Sequence, residues 1–225
     1  MDDSILKKRQ QQACPRSVAE GSGGVRPKLL EERRRWVLYD KKWKIFLKRS
    51  WLFRHLPFID FVFAAGSMAT GKVHPESDFD VIIGVKFGRI FTARFFAAAT
   101  FGAFGWRRRK LDHRAAATDK ICLNHFVTQK SYRLAPPHND YWKDLYLNLV
   151  PIFGSLAAVV AFWEANRDWL DEIPAYQDDL RHKYRKDSTF KMLIVNLLQG
   201  KVGDWLEHIL KKIQIKKIER GLALD

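Results

Sequence analysis

The feature that most constrains this chain is a pair of short apolar runs, Phe58 to Ala64 (FIDFVFA) and Asp78 to Val85 (DFDVIIGV), flanking a polar connection. The runs are rich in β-branched and aromatic residues and are bounded by turn formers, so each predicts a buried strand. Gly66-Ser67 marks the turn that ends the first. Gly71 to Ser77, with Pro75 inside it, is a polar loop leading into the second. A third run, Ile121 to Val127 (ICLNHFV), predicts another strand. The front of the chain is therefore committed to a sheet.

Helical patterns surround these strands. From Lys28 to about Arg54, Trp36, Tyr39, Trp43, Phe46 and Phe53 recur at steps of three, four or seven, which places them on one stripe. Arg34, Lys41 and Lys48 fall on another face, with Arg35, Lys42 and Arg49 beside them. The aromatic stripe reads as core rather than as a base-stacking platform. Pro57 ends this amphipathic helix. Gly88 to Phe104 predicts a helix, followed at once by the basic run Trp106 to Lys110 (WRRRK). Beyond Pro136-Pro137 the pattern is helical, over about 139–150, 155–171, 175–186, 188–199 and 203–220, with Asp204 a plausible N-cap. Met1 to Pro27 reads as a flexible leader, with its Gly21-Ser22-Gly23-Gly24 run offering little to bury. The expected fold class is α+β: a small mixed β-sheet core, an N-terminal basic helix and an all-helical C-terminal part. The expected regions are a leader over 1–27, a core over 28–135 and a helical region over 136–225.

Two cysteines, Cys14 and Cys122, are too few for a disulfide framework or a Cys-rich zinc site. Cys122 reads as a small buried strand residue, and the reduced thiols fit the cytoplasm. Met1 to Gln12 has no apolar core of a signal peptide. Two apolar stretches fall short of a membrane span. Arg89 and Arg94 interrupt Gly88 to Phe104. Asn148, Pro151, Gly154 and Ser155 break Leu145 to Trp163, which reads as two buried helices joined at Pro151 to Ser155. The formal charge of +15 predicts attraction to polyanions. The first 57 residues carry 15 Lys and Arg against 6 Asp and Glu.

The chemistry concentrates in Ala65 to Val81, AGSMATGKVHPESDFDV. Asp78 and Asp80 are two apart on a strand, so they project from one face at about 6 to 7 Å. Two carboxylates so placed repel each other unless a cation joins them. Mg²⁺, or Mn²⁺, suits that role, because hard cations take carboxylate oxygens and keep sites open for phosphate. Gly66 and Ser67 lie where a short helix begins. Free N–H groups there bind phosphate, and glycine permits close approach.

This stretch resembles the signature of the DNA polymerase beta-type nucleotidyltransferase superfamily: a strand ending in Gly-Ser, a turn, helix and loop, then Asp-x-Asp opening the next strand. It is most similar to the small, minimal nucleotidyltransferase-domain proteins, with Gly66, Ser67, Ala69, Gly71, Ser77, Asp78 and Asp80 in register. The resemblance implies Mg²⁺-dependent transfer of a nucleoside monophosphate from a nucleoside triphosphate, with ATP expected, to a hydroxyl acceptor. It implies Asp78 and Asp80 as catalytic metal ligands and Gly66 and Ser67 as the nucleotide-binding turn. Basic residues common at the positions of Met68 and Thr70 are missing, which leaves the phosphate charge to others such as Lys72; Arg107 to Lys110 read equally as a hold for a triphosphate tail or a nucleic-acid backbone, or as a simply exposed run. The family also uses a third carboxylate on a later strand. Here ICLNHFV carries Asn124 and His125 instead, and Asp119 stands just before it; Asp119 and Asn124 are the candidate third groups. Without a clear third acid, two alternatives stay open. One is a partner-binding, antitoxin-like protein facing a helical partner. The other is a nucleic-acid-binding protein with weak or no turnover, meeting RNA or an acidic macromolecule through the basic N-terminal helix.

Overall fold

A computed structural model of the protein describes residues 25–108, 117–170, 172 and 179–222. The expected leader up to Gly24, and Arg109 and Lys110 of the basic run, lie outside the described residues. Helix α1 (Val25–Ser50) leads through a 3₁₀ turn (Trp51–His55) into β1 (Ile59–Ala64). The short α2 (Gly66–Thr70), β2 (Phe79–Val85), α3 (Ile90–Ala103) and β3 (Ile121–Val127) follow. After α4 (Asp140–Leu147) come β4 (Val150–Gly154), α5 (Leu156–Glu164), α6 (Thr189–Leu197) and α7 (Lys201–Leu222). None of the described helices is long and apolar enough to cross a membrane.

The four strands form one mixed sheet in the order β3-β2-β1-β4. β1 runs antiparallel to both β2 and β4, while β2 and β3 are parallel. The α+β class expected from sequence is the class observed. Strand alternation sorts the apolar residues between two faces. Phe79, Val81, Ile83, Ile59, Val62 and Ala64 face a core closed by Trp43, Phe46, Phe53 and Phe101. Ile82, Phe61 and Phe63 face a second core closed by Tyr146, Phe162 and Trp163. The aromatic stripe of α1 is core from Tyr39 onward, while Trp36 stays exposed. Each fully buried ring contributes about 2 to 3 kcal/mol of transfer free energy, which is why so short a sheet holds its register.

Three expectations are corrected. The joint at Pro151 to Ser155 is not a helix–helix connection: Val150–Gly154 is a strand, all five residues buried, paired with β1. The alternation that marks a half-buried strand is absent there because both faces are covered. In the expected helix over 175–186, the described residues from Asp179 onward form turns, and Tyr184 makes a bridge to Phe153. Finally, Lys42 and Arg49 do not share the solvent face of α1 with Arg34, Lys41 and Lys48. Lys42 is buried at 2% exposure, and both turn to the loops that flank β2 and β3.

Candidate active site

The site lies where β1 ends and β2 and β3 begin. β1 runs directly into α2 through Ala65, whose N–H donates to the carbonyl of Asp80 at 2.9 Å. Gly66 adopts φ +58° there, a left-handed conformation that disfavours any residue with a Cβ. Space demands glycine as well: a Cβ at this position would lie 2.4 Å from Oδ2 of Asp80. The Gly-Ser turn and the second aspartate are thus in direct apposition across adjacent strands. Gly66 opens α2 and Ser67 follows it in the first turn, where backbone N–H groups have no intrahelical partner.

Asp78 stands immediately before β2 and Asp80 is its second residue, so both side chains lie on one face. On β3, Cys122 is the register partner of Asp80. Oxygen atoms of Asp78 and Asp80 and the sulfur of Cys122 all lie within 4.8 Å of one another. Between the Asp80–Cys122 and Ile82–His125 pairs the register slips by one residue, a bulge in β3 around Leu123 and Asn124. Bulges re-aim side chains next to functional sites. This one leaves Asn124 exposed, with its amide donating to Cys122 Sγ at 2.9 Å. His125 pairs with Ile82 farther along the sheet, where burial pushes its pKa below the ordinary value.

Charge at the site is uneven. Burial, then the neighbouring Asp78 charge, raises the Asp80 pKa; a hydrogen bond from Cys122 and the charge of Arg108 oppose this. Burial and the Asp80 carboxylate push the Cys122 thiol up to about 12. The thiol is therefore neutral at physiological pH and donates toward Asp80. Arg108, tied to β3 by its N–H on the Ile121 carbonyl at 3.0 Å, places a guanidinium nitrogen 2.6 Å from Asp78 Oδ2.

Asp119 is employed elsewhere. Its carboxylate meets the Lys42 ammonium at 2.7 Å, its carbonyl accepts from Arg49, and its N–H donates to the Ser77 carbonyl at 3.2 Å. Lys42 also donates to the carbonyls of Pro75 (2.7 Å) and Ser77 (2.8 Å). One buried ammonium thereby fastens the loop before Asp78 to the loop before β3. Among the described residues, the group formed with Asp78 and Asp80 contains Cys122 and not Asp119. Lys72 lies 3.9 Å from Asp144 on α4.

Sequence reasoning passed over Cys122 and the inward role of Lys42. The signal for Cys122 was its place two residues before Asn124 in the strand already singled out. For Lys42, the signal was its step of one from Trp43, at the edge of the buried stripe.

The donor set fits a divalent cation. Burial and the neighbouring Asp78 charge disfavour ionisation of Asp80, with one half-exposed arginine as the balancing charge. A hard ion takes carboxylate oxygen in preference to sulfur, so Asp78 and Asp80 are the stronger donors of the three. No family model matches this chain, and no curated protein or solved structure matches it.

Proposed function

We propose that this chain is a nucleotidyltransferase of the polymerase-beta type, joining a nucleoside monophosphate to a hydroxyl and releasing pyrophosphate. One observation supports the reading above the others: Gly66 abuts the carboxylate of Asp80, so the Gly-Ser turn and the carboxylate pair share one end of the sheet. Asp78 and Asp80 would hold Mg²⁺ or Mn²⁺, which when bound neutralises the phosphates of a nucleoside triphosphate, ATP in the first instance. Gly66 and Ser67 offer N–H groups and a hydroxyl to those phosphates. The acceptor oxygen bonds to the α-phosphorus as the bond from that phosphorus to the pyrophosphate oxygen breaks. The acceptor's proton passes to water in this reading, since among the described residues no third carboxylate joins the pair. Catalysis then rests on positioning and charge neutralisation. The exposed Arg34, Lys41 and Lys48 of α1 favour RNA or another acidic macromolecule as acceptor. A cytoplasmic setting accords with nucleotide chemistry and a free buried thiol at Cys122.

The test is transfer of label. Purified protein is incubated with each α-labelled triphosphate, Mg²⁺ and a cell extract. The wild type is expected to label RNA, protein or a small molecule, and the Asp78→Asn, Asp80→Asn double variant to label nothing. Equal labelling by both overturns the assignment.

A second reading, partner binding with weak or no turnover, is favoured by a different observation. Phe190, Leu193 and Leu197 form an exposed stripe along α6, on the side away from the buried Lys191. A helical protein laid on that stripe is the partner this reading requires.

A further inference from the structure

The ion pair between Arg108 and Asp78 joins an arginine to one of the two carboxylates of the candidate site. Its guanidinium nitrogen is 2.6 Å from the Asp78 carboxylate, whose side chain is 15% exposed, while the arginine side chain is 44% exposed. The backbone of Arg108 is held to β3 by its bond to Ile121, and Trp106 is held there too, its carbonyl accepting from the Ile121 N–H. The root of the side chain is therefore fixed and its tip is half in solvent. Arginine stays protonated throughout the accessible pH range, so it changes partners rather than charge.

We propose that Arg108 is an exchangeable counter-ion of the site: it neutralises Asp78 when no metal is present, yields Asp78 to an entering divalent cation, and passes to the phosphates the cation brings. The proposal rests on the nucleotidyltransferase reading above and assigns the phosphate ligand that the residues at 68 and 70 do not supply. The geometry favours this role for three reasons. A guanidinium binds phosphate oxygens in the same forked manner as it binds a carboxylate. Asp78 has no other ion-pair partner among the described residues. Asp80, opposite Gly66, is left as the carboxylate whose charge Arg108 balances only at a distance.

The exchange has a signature that a structural arginine does not. Removing the guanidinium frees Asp78 for the ion but deprives the phosphates of their anchor. Mn²⁺ binding alone, read by electron paramagnetic resonance, is expected to tighten about fivefold in Arg108→Gln, the equivalent of a half-exposed ion pair. Binding of inorganic tripolyphosphate in the presence of saturating Mn²⁺, read by calorimetry, is expected to weaken about tenfold. Arg108→Lys, which keeps the charge and guards against a folding defect in the glutamine variant, is expected to fall between wild type and Arg108→Gln in both measurements. Asp80→Asn is the control and is expected to lose Mn²⁺ binding. Weaker binding of both probes by the Arg108 variants, or unchanged binding of either, overturns the exchange while leaving the metal site in place. Equal Mn²⁺ binding by wild type and Asp80→Asn, or none by any form, removes the metal reading and the exchange with it.

Discussion

At the scale of single residues, Asp80 bears a charge that its surroundings disfavour. Burial and the charge of Asp78 raise its pKa above the ordinary carboxylate value of 3.8. The native state therefore binds this proton more tightly than the unfolded chain, and stability contributed by the protonated form is lost as pH rises through the raised pKa. Asp80→Asn removes that liability. The variant is expected to melt a few degrees higher than wild type at pH 7, about 2 to 4 °C, with the gain vanishing as pH falls below the unfolded aspartate value. Scanning calorimetry between pH 3.5 and 7 (buffer settings chosen to bracket about 3.8) checks the sign. Added Mg²⁺ is expected to raise the wild-type melting temperature and leave the variant unmoved. A wild type that is more stable than Asp80→Asn at pH 7 without metal would contradict the like-charge account. Gly66 complements this picture, because its missing Cβ is what brings the turn within reach of the carboxylate.

At the scale of elements, the most informative join is between α7 and α3. Glu207 on α7 accepts from the N–H groups of Phe91 (3.0 Å) and Thr92 (2.8 Å) and from the Thr92 hydroxyl (2.6 Å). It thus caps α3 from a helix more than a hundred residues later, where Arg89 offers no side-chain cap. Glu207→Ala leaves two first-turn donors without partners and is expected to cost about 1 to 2 kcal/mol. Urea unfolding should show a lower midpoint with an unchanged slope. Such a cap shows why sequence reading stops where it does. The strands β1, β2 and β3 were legible because apolar runs between turn formers report local burial. So were α1 and its core stripe, whereas the close approach of Gly66 to Asp80 appears only once β1 and β2 pair. β4 was not legible, because VPIFG lacks alternation and carries a proline and a glycine. Its strand character comes from β1, which lies beside it only in the folded chain. The bulge at Leu123 and Asn124 was equally hidden, and with it the alignment of Cys122 to Asp80. Lys42 defeated the pattern for a related reason: an ammonium on a basic helix reads as solvated until three acceptors from distant loops converge on it.

At the scale of the whole molecule, the charge of +15 predicts salt-sensitive association with polyanions. Arg34, Lys41 and Lys48 are all exposed on one face of α1. Replacing the three by alanine is expected to reduce the slope of log affinity against log salt by about 2 for single-stranded RNA. Fluorescence anisotropy across a salt series measures this, and Asp78→Asn should leave the slope unaltered. An unaltered slope in the triple variant would move the footprint to another basic face, such as Lys211, Lys212, Lys216 and Lys217 of α7. The strand order has a consequence of its own. Gly66, Asp78, Asp80, Arg108 and Cys122 all precede residue 123, yet β1, which leads into Gly66, gains its second neighbour only from Val150–Gly154. Without Val150–Gly154 one edge of β1 would be unpaired, and such an edge is open to strands of other chains. The candidate site thus owes its isolation to a segment that contributes no side chain to it.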